Sequence, residues 1–467
     1  MIKTLPLKPA TLSLCIMSFC PTLLAEAPIA DWSWFPVNPD APWVRRAGLQ
    51  VLEVGTDFYL LGGRTARPPA TPPIPGDSDI WNDVWKSSDQ GATWEEILPA
   101  GPGHWPARAY FRGVTLGDEM YVLGGQDFLV IPNKDCPPPY EDCSPFISVS
   151  NFYNDVWSST NGVEWTQETD DAGWSVRAGL SSIVFNDEIY VIGGSYFDDS
   201  SIIGGPPQRE YYNDVWKSAD GASWTLLTEE AAFTPRAGAA VAVKDGFLYL
   251  FGGEEGFLCD PFPGCELPYF NDVWRTSDGI EWELLTPDAP WSARPGHVVV
   301  VADDQFVLFG GFGVSPDPTD PFGPGNPMDV WVSDDGVEWT QASSSPWNAM
   351  GPGDVKYDFA ALATTIEGEG GQEPAIFTFG GDRETFNFFD PFNYLNMDND
   401  VWRFAPPPKG CPGDFNGDEI VDGFDVTVLL GAWGSVPPMP EEADMNADGV
   451  VDGTDLAILI SLWGACN

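Results

Sequence analysis

Residues 414–425 read DFNGDEIVDGFD, and residues 444–455 read DMNADGVVDGTD. Calcium takes about six to eight oxygen ligands from a loop that curls around it. In the first segment Asp414, Asn416, Asp418, Asp422 and Asp425 stand at loop positions 1, 3, 5, 9 and 12, and Ile420 offers its carbonyl at position 7. In the second, Asp444, Asn446, Asp448, Asp452 and Asp455 hold the same places, with Val450 at position 7. Two full ligand sets in register argue against two acidic turns without metal, and they imply two structural Ca2+ ions. Each loop runs into an apolar stretch that reads as a helix, DVTVLLGAW and DLAILISLW.

A second set of reactive side chains recurs along the middle of the chain. Arg46, Arg108, Arg177, Arg236 and Arg294 each lie 16 residues before a Gly-Gly pair. Asp-Val-Trp follows each pair, beginning at Asp83, Asp155, Asp214, Asp272 and Asp329, with a sixth at Asp400. The arginines have two readings: a cationic ring that grips an anion or a sugar carboxylate, or pairs with the Asp of Asp-Val-Trp. Recurrence in every ordinary unit favours pairing. The sixth unit reads KYDFA, which puts Tyr357 and Asp358 near the arginine position, and that break in symmetry marks a candidate pocket. Trp105, Trp174 and Trp291, with Trp43, Phe233 and Trp347 at matching places, either stack on sugar rings or fill the interior.

These residues need a scaffold that repeats. Gly-Gly pairs at 62, 124, 193, 252, 310 and 380 mark a unit of about 60 residues. Each unit offers four strands: a small-residue strand after the Arg, an apolar strand ending at Gly-Gly, a strand on Asp-Val-Trp, and a strand at a second Trp (94, 165, 224, 282, 339). Radial repetition of four antiparallel strands makes an all-β, six-bladed propeller. The sixth unit lacks its last strand, and WFPVNPDAPWVRR (34–46) matches WELLTPDAPWSAR (282–294) in spacing. The N-terminal strand is therefore expected to close the last blade, which removes the free sheet edges. The loops between second and third strands, and between fourth and first, share one long-loop face, where function is expected.

The Arg, Gly-Gly and paired-Trp signature over about residues 30–404 resembles kelch-repeat propellers. The turn SSDQGATW (87–94) also fits the Asp-box of sialidase propellers, with Asp89 and Gly91 serving the turn. The kelch resemblance implies a binding or interaction module for a glycan or protein. The alternative is a carbohydrate-active enzyme, sialidase-like or galactose-oxidase-like. A third possibility is a structural surface protein. A galactose-oxidase-type copper site would draw on His and a Cys–Tyr crosslink. The two histidines, His104 and His297, fall in different inter-blade segments, and every mature cysteine has a short-range partner. No catalytic residue is assigned, and the reading leans away from an enzyme.

The doubled loop-then-helix unit with Asp at position 12, bounded by Cys411 and Cys466, resembles the dockerin module, in its GC-type form. That resemblance implies a small α-helical domain that folds around calcium and docks onto a cohesin-like or cell-surface anchoring partner. Positions 10 and 11, which often set partner choice in the family, are Gly423 with Phe424 and Gly453 with Thr454.

The remaining bounds come from composition. The formal net charge of −49 repels phosphate backbones and excludes nucleic acid as a partner. Residues 1–25 read as a secretory signal peptide, with cleavage after Ala25 or Ala27, and nothing later is long and apolar enough to span a bilayer. Secretion, with possible attachment at the cell surface, is the expectation. The six cysteines beyond the signal then read as three local disulfides, Cys136–Cys143, Cys259–Cys265 and Cys411–Cys466. The expected division is a propeller over 28–404, a Pro-rich linker over 405–410, and the dockerin-like module over 411–467.

Overall fold

The structure is a computed structural model. It describes residues 28–67, 78–127, 129–136, 146–197, 209–256, 269–313, 329–348, 355–368, 371–384, 395–407, 413–416, 418, 420–435, 440, 443–445 and 449–465. The signal peptide, Cys143, Cys259, Cys265, Cys411, Cys466, Asn446 and Asp448 lie outside these, as does most of the loop between second and third strands in every blade but the second.

Six four-stranded antiparallel sheets surround one axis. Blade 1 runs from the innermost strand Gln50–Val54 through Asp57–Ala66 and Ser78–Ser87 to Glu95–Leu98. Blades 2 to 5 repeat the meander, with innermost strands Arg112–Leu116, Ser181–Phe185, Ala240–Lys244 and His297–Ala302. Blade 6 comprises Ala360–Gly368, Gly371–Asp382 and Met397–Ala405. Its fourth strand is N-terminal: Ser33–Asn38 pairs with the last of these, Ser33 opposite Ala405 and Asn38 opposite Val401. The expected closure of the ring is thus present.

Apolar cores lie between neighbouring blades. Leu52 and Leu61 of blade 1 pack with Phe111 and Val122 of blade 2, and five like clusters complete the circle. The Gly-Gly pairs let the blades meet closely. Gly62 has φ +52°, and a Cβ there would stand 3.0 Å from the rings of Phe111 and Trp105, which belong to blade 2. The strand register shifts between Leu61 and Gly63, so the pair also serves as a bulge that bends the strand.

At the C-terminus two helices, α1 (Gly423–Gly431) and α2 (Gly453–Ser461), pack around Val421, Leu429, Val451 and Leu459. Both start with a capping box, Asp422 with Asp425 and Asp452 with Asp455. No helix among the described residues is long and apolar enough to cross a membrane.

Candidate functional site

The repeat arginines are tied to the repeat aspartates. Arg177 shows the pattern: Nη1 and Nη2 meet the two carboxylate oxygens of Asp214 at 2.5 and 2.9 Å. Nε donates to the Ser175 carbonyl, and Nη1 also donates to the carbonyl of Gly193. The Asp214 carboxylate accepts from the Trp216 indole, which accounts for Asp-Val-Trp as a unit. Arg46–Asp83, Arg108–Asp155, Arg236–Asp272 and Arg294–Asp329 repeat it. All five arginine side chains are 0–1% exposed. The reading of these arginines as ligand contacts is therefore corrected: each guanidinium nitrogen bonds inside the protein and the side chains are buried, so pairing describes them.

The sixth blade carries Lys356 in this role, with Nζ 2.6 Å from Asp400 and 3.2 Å from Asp398. Its inner hairpin pairs from Ala360–Phe379 out to Gly368–Gly371, so the cation falls 24 residues before Gly380 instead of 16. Trp105, Trp174 and Trp291 are corrected likewise. They are 0–1% exposed, and each meets the outer-strand Trp of its own inter-blade core, as Trp105 does Trp165 at 5.9 Å. Core filling, the alternative reading for these residues, describes them.

Two residues after each repeat cation, the chain forms a ring about the axis. Tyr110 N donates to Gly48 O, Gly179 N to Tyr110 O, Gly238 N to Gly179 O, Gly296 N to Gly238 O, Asp358 N to Gly296 O, and Gly48 N to Asp358 O, all at 2.8–3.2 Å. Every member has positive φ. Glycine suits that conformation, and four members are glycine. Tyr110 (φ 54°) and Asp358 (φ 50°) accept it while carrying side chains, which is local strain of the kind concentrated at functional sites.

Those two side chains belong to one cluster above the ring. After each Gly-Gly a single residue faces the axis region: Arg64, Gln126, Ser195, Glu254, Phe312 and Asp382, all buried. Arg64 donates to the Asp382 carboxylate through Nη2 and to the Tyr110 hydroxyl through Nε. Tyr357 bridges to Asp382 through the backbone, and Glu384 N donates to the Asp382 carboxylate at 2.9 Å. Burial, then the charge of Asp382, pushes Asp358 up to about 7, against the pull of Arg64 and Arg112. The same two causes push Glu384 up to about 8. Burial also raises Tyr357. The sequence singled out Tyr357 and Asp358, and the structure brings them beside Arg64, Tyr110, Asp382 and Glu384. Of these, Arg64 and Asp382 were legible only by comparing the residue after each Gly-Gly, and Tyr110 only by noting that it replaces the glycine found two residues after most of the repeat arginines.

In the first calcium loop the candidate ligand side chains are bonded largely to the loop's own backbone. Asp425 Oδ1 accepts from Phe415 N and Asn416 N, and its Oδ2 from Asp422 N. Asp414 accepts from Asp418 N, and Asn416 donates to Asp418. Burial and the nearby charge of Asp414 raise Asp425, a crowding that a cation would relieve. Ile420 pairs with Ala465 in a short two-stranded sheet. In the second loop Asp444 accepts from Gly449 N, and Asp455 is fully buried. Among the described residues no three acidic, His or Cys groups form a metal cluster by themselves. The oxygens nonetheless suit a hard cation such as calcium, with Asn and carbonyl ligands completing the shell. Cys136 is disulfide-bonded.

Six blades, buried Arg–Asp struts and Gly-Gly bulges define a kelch propeller. Residues 48–311 match the KLHDC2/KLHL20/DRC7 Kelch-repeats domain, and residues 412–462 match the Dockerin type I domain. The chain belongs to the kelch-repeat family and carries a C-terminal type I dockerin domain. Such dockerins bind calcium, and their usual partners are cohesins. The chain is 27% identical over 303 residues to an N-acetylneuraminate epimerase of Pasteurella multocida, covering 59% of this chain and 66% of that one. It is 27% identical over 247 residues to beta-scruin of Limulus polyphemus, covering 52% and 23%. It thus spans just under two thirds of the first relative and about a quarter of the second. The solved structure titled "Structure of YjhT" superposes with a TM-score of 0.51 at 16% identity, over 78% of this chain and 96% of the other, a likeness of fold.

Proposed function

We propose that this is an exported binding protein whose propeller takes a sugar at the axial cluster of the long-loop face. The observation that carries this is the convergence of Arg64, Tyr110, Tyr357, Asp358, Asp382 and Glu384 where the six-fold pattern breaks. Phenols, a guanidinium and carboxyls that stay partly protonated near neutral pH offer donors and acceptors together, the mixture a hydroxyl-rich ligand needs. The similarity to a protein named for N-acetylneuraminate supports a sugar acid within this class.

The C-terminal module serves as the anchor. Two Ca2+ ions, held by the ligand sets around Asp425 and Asp455, fold it, and a cohesin-like or cell-surface partner receives it. Exposed Phe424, Leu430, Trp433, Ile460 and Trp463 give such a partner apolar ground. Calorimetry of the metal-free full chain is expected to titrate two calcium ions. One ion, or none, would sink the two-site reading.

Glu384 and Asp358 also favour a second reading. Two carboxyls with neutral-range pKa values beside a tyrosine could exchange a sugar's protons as general acid and base. Calorimetry against a panel of neutral and acidic sugars tests binding, and proton NMR of anomer exchange tests turnover. Arg64→Ala is expected to abolish binding. Turnover lost in Asp358→Asn with binding retained would replace the binding role by the enzymatic one.

A further inference from the structure

Below the ring of backbone hydrogen bonds the innermost strands line a partly open cavity of about 220 Å³. This lies under the roughly 300 Å³ at which pockets for drug-sized ligands begin. The surface that lines it is mainly polar, with Gln50, Arg112, Ser182 and His297 set among Val51, Ala240, Val299 and Ala360. The amide of Gln50 is spent: Nε2 donates to Leu49 O, and Oε1 accepts from Gly113 N. The other three polar residues have capacity left. Arg112 Nε donates to the Leu180 carbonyl at 2.7 Å, and its two Nη groups meet no acceptor among the described residues. Ser182 Oγ has no hydrogen-bond partner among the described residues. His297 is 5% exposed, its ring lies 5.9 Å from that of Trp291 with the Arg294 backbone as polar neighbour, and among the described residues neither ring nitrogen makes a hydrogen bond of good geometry.

A cation removed from water needs a counter-charge. The five repeat arginines have their aspartates, and Arg64 has Asp382. Arg112 is half-buried in the wall of this channel, and among the described residues its charged neighbour is Asp358, a carboxyl pushed up to about 7 and shared with Arg64. His297 is pushed down to about 3, by burial and then by Arg294 and Arg112, so it contributes a neutral N–H and no second charge.

We propose that this cavity binds one small inorganic anion of the halide class, held by the Nη groups of Arg112 with Ser182 and His297 as neutral donors. The site lies in the channel and is separate from the sugar-binding cluster above the ring. The anion completes the charge balance of the propeller's interior.

Two measurements on the full chain test it. Crystals soaked in bromide are expected to give an anomalous peak within hydrogen-bonding distance of Arg112. In solution Tm is expected to rise and saturate with bromide or chloride, at ionic strength held constant with a bulky sulfonate salt. Arg112→Gln should remove the saturating shift. Ser182→Val, which fills the cavity and leaves the guanidinium, should weaken it, and it serves where Arg112→Gln fails to fold. Water alone on Arg112 in bromide, a shift unchanged in both variants, or saturation by formate and not by halide would overturn the proposal.

Discussion

The guanidinium of Arg177 makes four hydrogen bonds inside the protein, two of them to one carboxylate. Removing one partner of such a pair strands a buried charge, at a cost of roughly 3–5 kcal/mol. Arg177→Ala is therefore expected to lower the denaturation midpoint strongly, and Arg177→Lys less, since it keeps the charge and loses the fork. Equal midpoints for all three proteins would refute a structural role. Asp358 follows the opposite logic. Its folded pKa is raised to about 7 from a usual 3.8, so the folded state binds its proton more tightly. Its contribution is full below the unfolded pKa and is lost as pH rises through about 7. Asp358→Asn is expected to stabilise the protein at pH 8 and to make little difference near pH 4, which melting curves across that range would check. A gain that is flat with pH would remove Asp358 from the buried cluster. The repeated arginines declared themselves in the sequence because their spacing is constant. Lys356 did not, because an inner hairpin longer by eight residues moved it off that spacing. Arg64, Asp382 and Glu384 were hidden for another reason: they vary from blade to blade, and variation against a repeat is visible only once the repeat's frame is known.

Among the elements, the joined first and last strands of blade 6 carry the closure of the ring. Phe35 on the N-terminal strand is 3% exposed, lies in the core shared by blades 6 and 1, and has Arg403 over its ring at 5.2 Å. Truncating a buried Phe costs about 3–5 kcal/mol. In Phe35→Ala the loss should appear first at the seam, because this one blade is held by chain ends instead of a continuous meander. Hydrogen exchange is expected to speed up in 33–38 and 397–405 before it does in blade 3. Uniform acceleration across all blades would show that the seam is no weaker than the rest. This closure was legible because the matched segments 34–46 and 282–294 share spacing from Trp to Arg. The six-residue ring of backbone bonds was not, since its residues are mostly glycine and its partners lie one blade apart.

At the scale of the whole molecule, propeller and anchor meet through the strand of blade 6 on which the closing N-terminal strand pairs. Arg403, in the third strand of blade 6, donates through Nη2 to the Asn416 carbonyl of the first calcium loop at 2.6 Å. Burial holds Arg403 below its usual pKa, while Asp414 and Asp418 draw it up, so the acidic loop supplies the counter-charge for a cation on the propeller. The sequence places a Pro-rich linker over 405–410 between the two parts. The contact sets the first half of the anchor against the propeller and leaves exposed Trp463 in the second half for a partner. Losing the clamp should free the module without unfolding either part, because the Phe35 ring and the loop's own hydrogen bonds remain. Arg403→Ala is expected to raise the rate of proteolytic cutting near residues 405–412 and to enlarge the radius of gyration seen by small-angle scattering, with the calcium stoichiometry unchanged. Cutting rates and scattering profiles equal to those of the parent chain would mean that the propeller and its anchor are joined by the linker alone.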